Sequence, residues 1–105
     1  MLRLFLCLAL FPGLALAADP EYTISILDHR FNPAELRVPA GKKIKLLIEN
    51  KDPTAEEFES HELHREKVIP PNSKLPVFIG PLAPGSYPFF GDFHPQTAKG
   101  VIIAE

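Results

Sequence analysis

Two stretches of the chain hold most of the side chains that could bind a metal ion. The first, residues 56–66, contains five glutamates and two histidines. The second, residues 91–95, places Asp92 close to His94 directly after an aromatic segment. Carboxylate and imidazole donors suit divalent copper, zinc or iron, whereas monovalent copper prefers sulfur. The two stretches therefore predict a metal site of oxygen and nitrogen donors, provided that the fold brings them together.

The spacing within the first stretch selects its candidate ligands. Successive side chains of an extended strand point to opposite faces, so Glu57 and Glu59 would lie on the same face. Like charges placed in this way repel each other unless a cation lies between them. Glu57 and Glu59 are therefore candidate ligands, and the two stretches also contain His94, Asp92, His61, His64 and Glu66, whose side chains carry suitable donors. The alternative is a solvated charged face without a metal, in which His64, like His29, is an ordinary surface residue.

The elements that must position these side chains are short β-strands. Apolar and polar residues alternate with a period of two in several segments, and turns rich in proline and glycine separate these segments. One such turn is predicted over residues 28–33. Because no helical segments alternate with the strands, the pattern indicates an all-β sandwich. The predicted strands are residues 21–27, 35–38, 43–49, 74–79, 87–90 and 100–104.

Residues 54–67 are compatible with two structures. Thr54 precedes Glu57 by three residues, which matches a helix capping box, and most of the following residues are good helix formers. The few apolar residues do not recur at helical spacing, so a helix would have almost no face to bury. A strand would instead place Glu57, Glu59 and His61 on one side. The surrounding β pattern favours the strand, and the residues themselves leave both alternatives open.

The start of the chain has the features of a secretory signal. Arg3 precedes an almost uninterrupted apolar run over residues 4–16. The small residues Ala15 and Ala17 lie at its end, where a signal peptidase would cleave. We expect residues 1–17 to be a signal peptide and residues 18–105 to form one exported domain. The apolar run is too short to span a membrane, and no later stretch is apolar enough to do so. The predicted location is therefore the periplasm, as a protein that does not span the membrane.

Composition narrows the function classes. The chain has 13 acidic and 11 basic residues, which argues against nucleic acid or an anionic membrane as the partner. Its single cysteine, Cys7, lies in the predicted signal, so the mature domain would have neither a disulfide nor a thiolate. The sequence has no nucleophile with a partnered base, no phosphate-binding glycine loop and no paired-acid hydrolase signature. Hydrolytic catalysis is therefore not predicted.

Several segments, taken in order, resemble a known family over essentially the whole predicted mature chain. They are FNPAELRVPAGKKIKLLIENKD, EEFES, EKVIPPNSKLPVFIGPLAPGSYPF, GDFH and AKGVIIAE. The sequence is similar to cupredoxin-like domains, with the closest resemblance to the Efe-type cupredoxin modules of bacterial periplasmic iron-uptake systems. The resemblance implies a Greek-key β-sandwich or barrel of about 7–8 strands over residues 18–105.

The resemblance does not extend to a blue-copper site. A blue-copper member would carry a histidine near residues 56–60, then a cysteine, a histidine and a methionine around the last loop. At the position of the first histidine, this sequence has Glu56 or Glu57. At the positions of the cysteine, the second histidine and the methionine, it has Gly91, His94 and Ala98. Because the thiolate is absent, the sequence excludes a type 1 copper site.

The acidic pair resembles the iron-uptake group more closely. Glu57, an aromatic residue and Glu59 follow one another as in that group, although some of its members also use cysteines where this chain has Phe31 and Gly91. The resemblance leaves an oxygen and nitrogen site with Glu57, Glu59 and His94 as its core, because His94 occupies the family's histidine position, and the further candidates are Asp92, His61, His64 and Glu66. It implies an exported protein that binds copper(II) or iron and assists iron or copper uptake, with an iron permease or another periplasmic metal-uptake protein as partner. Assistance in oxidising ferrous iron is the activity it would add. The alternative is a metal-free β-sandwich that acts as a protein-interaction module.

Overall fold

The structure, a computed structural model, describes residues 18–105. The signal-peptide prediction for residues 1–17 lies outside these described residues. Residues 18–105 contain no helix that is long and apolar enough to cross a membrane. The all-β prediction is confirmed, because the described part of the chain forms nine strands. They are β1 (Glu21–Leu27), β2 (Arg30–Asn32), β3 (Glu35–Val38), β4 (Ile44–Asn50), β5 (Glu56–Ser60), β6 (Arg65–Ile69), β7 (Ser73–Ile79), β8 (Gly85–Gly91) and β9 (Lys99–Ala104).

The strands form two mixed sheets that enclose one core. The first sheet has the order β2-β1-β4-β7, and the second has the order β3-β9-β8-β5-β6. β1 pairs with β4 in parallel and β3 pairs with β9 in parallel, whereas the other pairs are antiparallel. The predicted β-sandwich is therefore confirmed, and β5 occupies the second sheet between β6 and β8.

The core follows the period-two pattern of the sequence. In β4, Ile44, Leu46 and Ile48 are fully buried and alternate with partly exposed residues. Phe58 and Phe89 stack at 5.1 Å between ring centroids, which joins β5 to β8 inside the sandwich. Burying each such side chain contributes about 1.5–3 kcal/mol. The alternation that positions the core also decides which residues of β5 face outward.

Most of residues 54–67 lies in the strands β5 and β6 and the turn between them, and the helix alternative is wrong. β5 and β6 make an antiparallel hairpin in which Glu57 pairs with Val68 and Glu59 pairs with Glu66. Phe58 is completely buried. Tertiary pairing with β6 and β8 overrides the local helix propensity, because a strand buries Phe58 against both sheets and an isolated helix would have no comparable face.

The turn predicted over residues 28–33 is shorter than expected. Only Asp28 and His29 form it, with φ angles of 51° and 57°, and the chain then pairs back along β1 as the short strand β2. Two successive positive φ values are typical of a two-residue hairpin. The carboxylate of Asp52 accepts hydrogen bonds from the backbone N–H groups of Asp28 at 2.8 Å and His29 at 3.0 Å. This distant acid holds a conformation that local sequence rules do not predict.

Candidate metal centre

The two faces of β5 divide the candidate ligands into two groups. Glu56, Phe58 and Ser60 face the interior, and Glu57 and Glu59 face outward. The loop after β8 divides in the same way, since the Asp92 carboxylate lies with Glu57 and Glu59 and the His94 imidazole lies with Glu56. The predicted residues therefore do not form one cluster.

The outward group is a patch of acids, which we call the carboxylate face: Glu57, Glu59, Glu66 and Asp92. One carboxylate oxygen each from Glu57, Glu59 and Asp92 lies within 4.8 Å of the other two. Glu66 lies directly across the ladder from Glu59. The backbone N–H of Asp92 donates to the carbonyl of Glu57 at 2.9 Å and fixes the loop beside β5. Two strands, β5 and β6, and the loop after β8 thus hold four acids together.

The environment of Glu57 is electrostatically unfavourable for a carboxylate. A side-chain hydrogen bond with Glu66 raises the pKa of Glu57 to about 7, and burial and the charges of Glu66, Asp92 and Glu59 act in the same direction. Glu57 is only 8% exposed. Every one of these causes raises the pKa, and none of them is a positive charge. The carboxylate face needs a proton or a cation to relieve its repulsion.

The remaining candidates lie at the margin of the carboxylate face. His61 Nδ1 is 3.9 Å from Glu59 Oε1, and its ring lies 5.5 Å from that of Phe90. His64 lies on the exposed turn between β5 and β6, with a φ of 54°. His61 therefore neighbours one acid of the carboxylate face, Glu59. His64 lies in neither group of three donors found among residues 18–105.

The inward group is centred on Glu56, which is 1% exposed. Its Oε2 lies 2.5 Å from His94 Nδ1, and its Oε1 accepts hydrogen bonds from the backbone N–H groups of Phe93 at 2.9 Å and Glu57 at 3.1 Å. The ring of His29 stacks on that of His94 with 3.5 Å between centroids. Donor atoms of His29, Glu56 and His94 also lie within 4.8 Å of one another.

Sequence reasoning missed two members of the inward group. The sequence offers Glu56 only as an alternative to Glu57 at the first ligand position, and it predicts that His29 is a surface residue. The period of two could have identified Glu56. If Glu57 faces outward, its neighbour Glu56 must point inward. No local signal identifies His29, since the hydrogen bonds to Asp52 that place it come from another part of the chain.

The inward group does not fit a type 1 copper centre. A Cβ on Gly91 would lie 2.6 Å from Glu56 Cδ and 2.7 Å from Ala98 Cβ. The carboxylate therefore fills the space that a side chain at residue 91 would need. Neither Gly91 nor Ala98 offers the sulfur that such a centre requires.

Comparison with known proteins supports the fold. Residues 1–104 match the family described as the cupredoxin-like domain. Protein RP394 of Rickettsia prowazekii (strain Madrid E) is 52% identical over 83 residues, which is 79% of this chain and 66% of that protein. The chain thus spans slightly less than two thirds of this relative.

Solved structures show the same architecture at low identity. Auracyanin A, a blue copper protein from Chloroflexus aurantiacus, superposes with a TM-score of 0.71 at 12% identity, covering 84% of this chain and 100% of auracyanin. The metal-binding domain of the Cu(I)-exporting P-type ATPase CopA of Streptococcus pneumoniae D39 gives 0.68 at 17% identity, covering 81% and 84%. The match over residues 1–104 decides the assignment, and the chain belongs to the cupredoxin-like domain family.

Proposed function

We propose that this chain is an exported, periplasmic metal-binding protein that holds iron or copper(II) on the carboxylate face and assists metal uptake. The observation that carries the proposal is the position of Glu57, a residue that is 8% exposed and whose carboxylate lies among other acids. A fold gains nothing from this arrangement unless a cation or a proton is bound there.

The distances suit a metal ion. Metal–oxygen bonds of about 2.0–2.6 Å allow two ligands of one ion to be separated by at most about 4–5 Å. The oxygens of Glu57, Glu59 and Asp92 already meet this limit, since all three lie within 4.8 Å of one another. Small side-chain movements would therefore suffice to coordinate one ion.

The donor chemistry favours iron over copper at this face. The three closest donors are all oxygens, and oxygen donors suit hard cations. Ferric iron is harder than ferrous iron, so a carboxylate site would stabilise the product of ferrous oxidation. Copper(II) would gain from an imidazole, and His61, 3.9 Å from Glu59, is the nearest one. An accessory role beside an iron permease is consistent with this donor set.

Calorimetric titration tests the proposal. Ferric iron supplied as its citrate complex, and separately copper(II), would be titrated into the protein comprising residues 18–105. We expect about one ion per chain. We expect Glu57→Gln with Glu59→Gln to weaken binding by more than about 10-fold, because changing residues that only hydrogen-bond to metal ligands already weakens binding by about that much. Glu62→Gln is the matched control, because Glu62 is an exposed glutamate of the same hairpin turn.

Two results would contradict the proposal. Binding that survives the double substitution would place the metal elsewhere. If neither metal binds more tightly than about 1 mM, a free energy of only about −4 kcal/mol, the alternative of a metal-free interaction module is favoured.

A further inference from the structure

We propose that Glu56 closes the inward group to metal ions, so that a hydrogen-bonded clasp stands where cupredoxins of the blue-copper type hold their metal. The Glu56 clasp consists of the Glu56 carboxylate, the His94 imidazole and the backbone N–H groups of Glu57 and Phe93. Glu56 is then the residue that keeps copper(II) and zinc, which accept imidazole donors, out of this end of the sandwich. The inference does not depend on whether the carboxylate face binds a metal.

The Glu56 carboxylate already has hydrogen-bond donors at both of its oxygens. Three donors bind its two oxygens at 2.5–3.1 Å, and the residue is 1% exposed. Hydrogen bonds to a carboxylate are stronger than those between neutral groups, and a carboxylate that accepts two or three of them is stable without a cation. An entering metal would have to replace these bonds with its own.

The Glu56 carboxylate also determines which nitrogen of His94 carries the proton. A carboxylate oxygen is an acceptor, so the short contact between Glu56 Oε2 and His94 Nδ1 places the imidazole proton on Nδ1. A nitrogen that carries a proton has no lone pair for a metal. Only Nε2 of His94 is then available for coordination.

The imidazole rings of His29 and His94 are stacked face to face. The rings of His29 and His94 are 3.5 Å apart and only 14° from parallel. A metal bound by an imidazole lies close to the ring plane, at about 2.0–2.1 Å from the nitrogen. An ion in the plane of one ring would therefore be well outside the plane of the other. Stacked as they are, the two rings cannot bind the same ion.

The space beside Gly91 is already filled by the Glu56 carboxylate. The Glu56 carboxylate packs against Gly91 so closely that even a Cβ there would overlap it. The backbone N–H of Gly91 donates to the carbonyl of Ala98 at 2.9 Å, which closes the loop over the same point. The clasp joins β5 to this loop, which is the structural connection that a metal would otherwise provide.

Nuclear magnetic resonance of the histidine rings tests the inference on the folded protein. In the unsubstituted protein we expect His94 to carry its proton on Nδ1. Adding one equivalent of zinc(II), a diamagnetic probe, should leave the ring signals of His29 and His94 unshifted, and an ion at the carboxylate face would affect His61 instead. The two groups are thereby distinguished in one spectrum.

Glu56→Gln is the informative variant because it preserves the side-chain volume. Its amide can still accept from the backbone and presents an N–H group to His94, so we expect the His94 proton to move to Nε2. Nδ1 then becomes an acceptor. Glu59→Gln, the same change on the same strand, should leave the His94 tautomer unaltered. Glu56→Ala should open the group, so that zinc shifts the ring signals of His94 in this variant and not in the unsubstituted protein.

Either of two results would overturn the inference. One is a His94 ring that carries its proton on Nε2 in the unsubstituted protein. The other is a stoichiometric zinc-dependent shift of both His29 and His94 in the unsubstituted protein, abolished by His94→Ala. The second result would make the inward group a metal site.

Discussion

Glu56 and Glu57 are adjacent glutamates, both nearly buried, in opposite situations. Glu56 accepts three hydrogen bonds inside the sandwich, whereas Glu57 lies among three other acids on the outer face. The exposed fractions, 1% and 8%, scarcely distinguish them. Their partners do, because a buried carboxylate is stabilised by donors and destabilised by like charges. The comparison teaches that the buried acid with the fewest donors is the better candidate for a metal ligand.

Removing Glu56 should have the largest effect on stability. Glu56→Ala leaves a cavity and removes the acceptor of three donors, each of which costs about 1–3 kcal/mol when buried and unpaired. We expect the free energy of unfolding, measured with urea, to fall by about 3 kcal/mol or more. Glu62→Ala at the exposed turn is the control. A loss of under about 1 kcal/mol would mean that the clasp is not a structural connection.

Metal binding should stabilise the protein by the next largest amount. A ligand present at 100 times its dissociation constant stabilises the folded state by about 2.7 kcal/mol. We expect ferric citrate or copper(II) to raise the melting temperature, and a chelator to reverse the rise. The variant Glu57→Gln with Glu59→Gln should show no rise. An equal rise in melting temperature in that variant would show that the metal does not bind at the carboxylate face.

The stability of the metal-free protein should depend on pH through Glu57. The pKa of Glu57 is raised from 4.5 to about 7, chiefly by its contact with Glu66, so the folded state holds this proton more tightly than the unfolded state. Stability contributed by the proton is fully present below about pH 4.5 and declines as pH rises to about 7. We expect Glu57→Gln to lack this decline. Urea unfolding of both proteins at several pH values measures it, and parallel curves would contradict the assignment.

The stacked histidines should contribute least. His29→Ala removes the ring that lies on His94 and leaves the Glu56 clasp intact. Stacked ring pairs contribute about 0.5–1.5 kcal/mol, and partial exposure places this pair at the lower end. We expect a loss of about 0.5 kcal/mol in urea unfolding and an unchanged His94 tautomer. A changed tautomer would show that the stack helps to hold the proton on Nδ1.

Much of the fold could be predicted because the alternation in β1, β4 and β7 is regular. Two parts could not. Residues 54–67 carry a capping signal that competes with the strand pattern, and only pairing with β6 and β8 decides between them. The strand β2 has three residues, too few for a periodic signal.

The candidate site was predictable to the extent that a period of two determines it. Placing Glu57 and Glu59 on one face followed from the strand pattern alone. The assignment of Asp92 to that face and of His94 to the other could not follow, because the direction of each side chain in a loop depends on tertiary contacts. The inclusion of His94 with Glu57 and Glu59 as ligands of one ion stays a prediction, and the structure groups His94 with Glu56 instead.

The most direct test compares two double variants by calorimetry under identical conditions. One carries Glu57→Gln and Glu59→Gln, and the other carries His29→Ala and His94→Ala. We predict that the first loses ferric and copper(II) binding and that the second retains about one ion per chain. Loss of binding in the histidine variant, with retention in the glutamine variant, would contradict the account and place the metal within the sandwich.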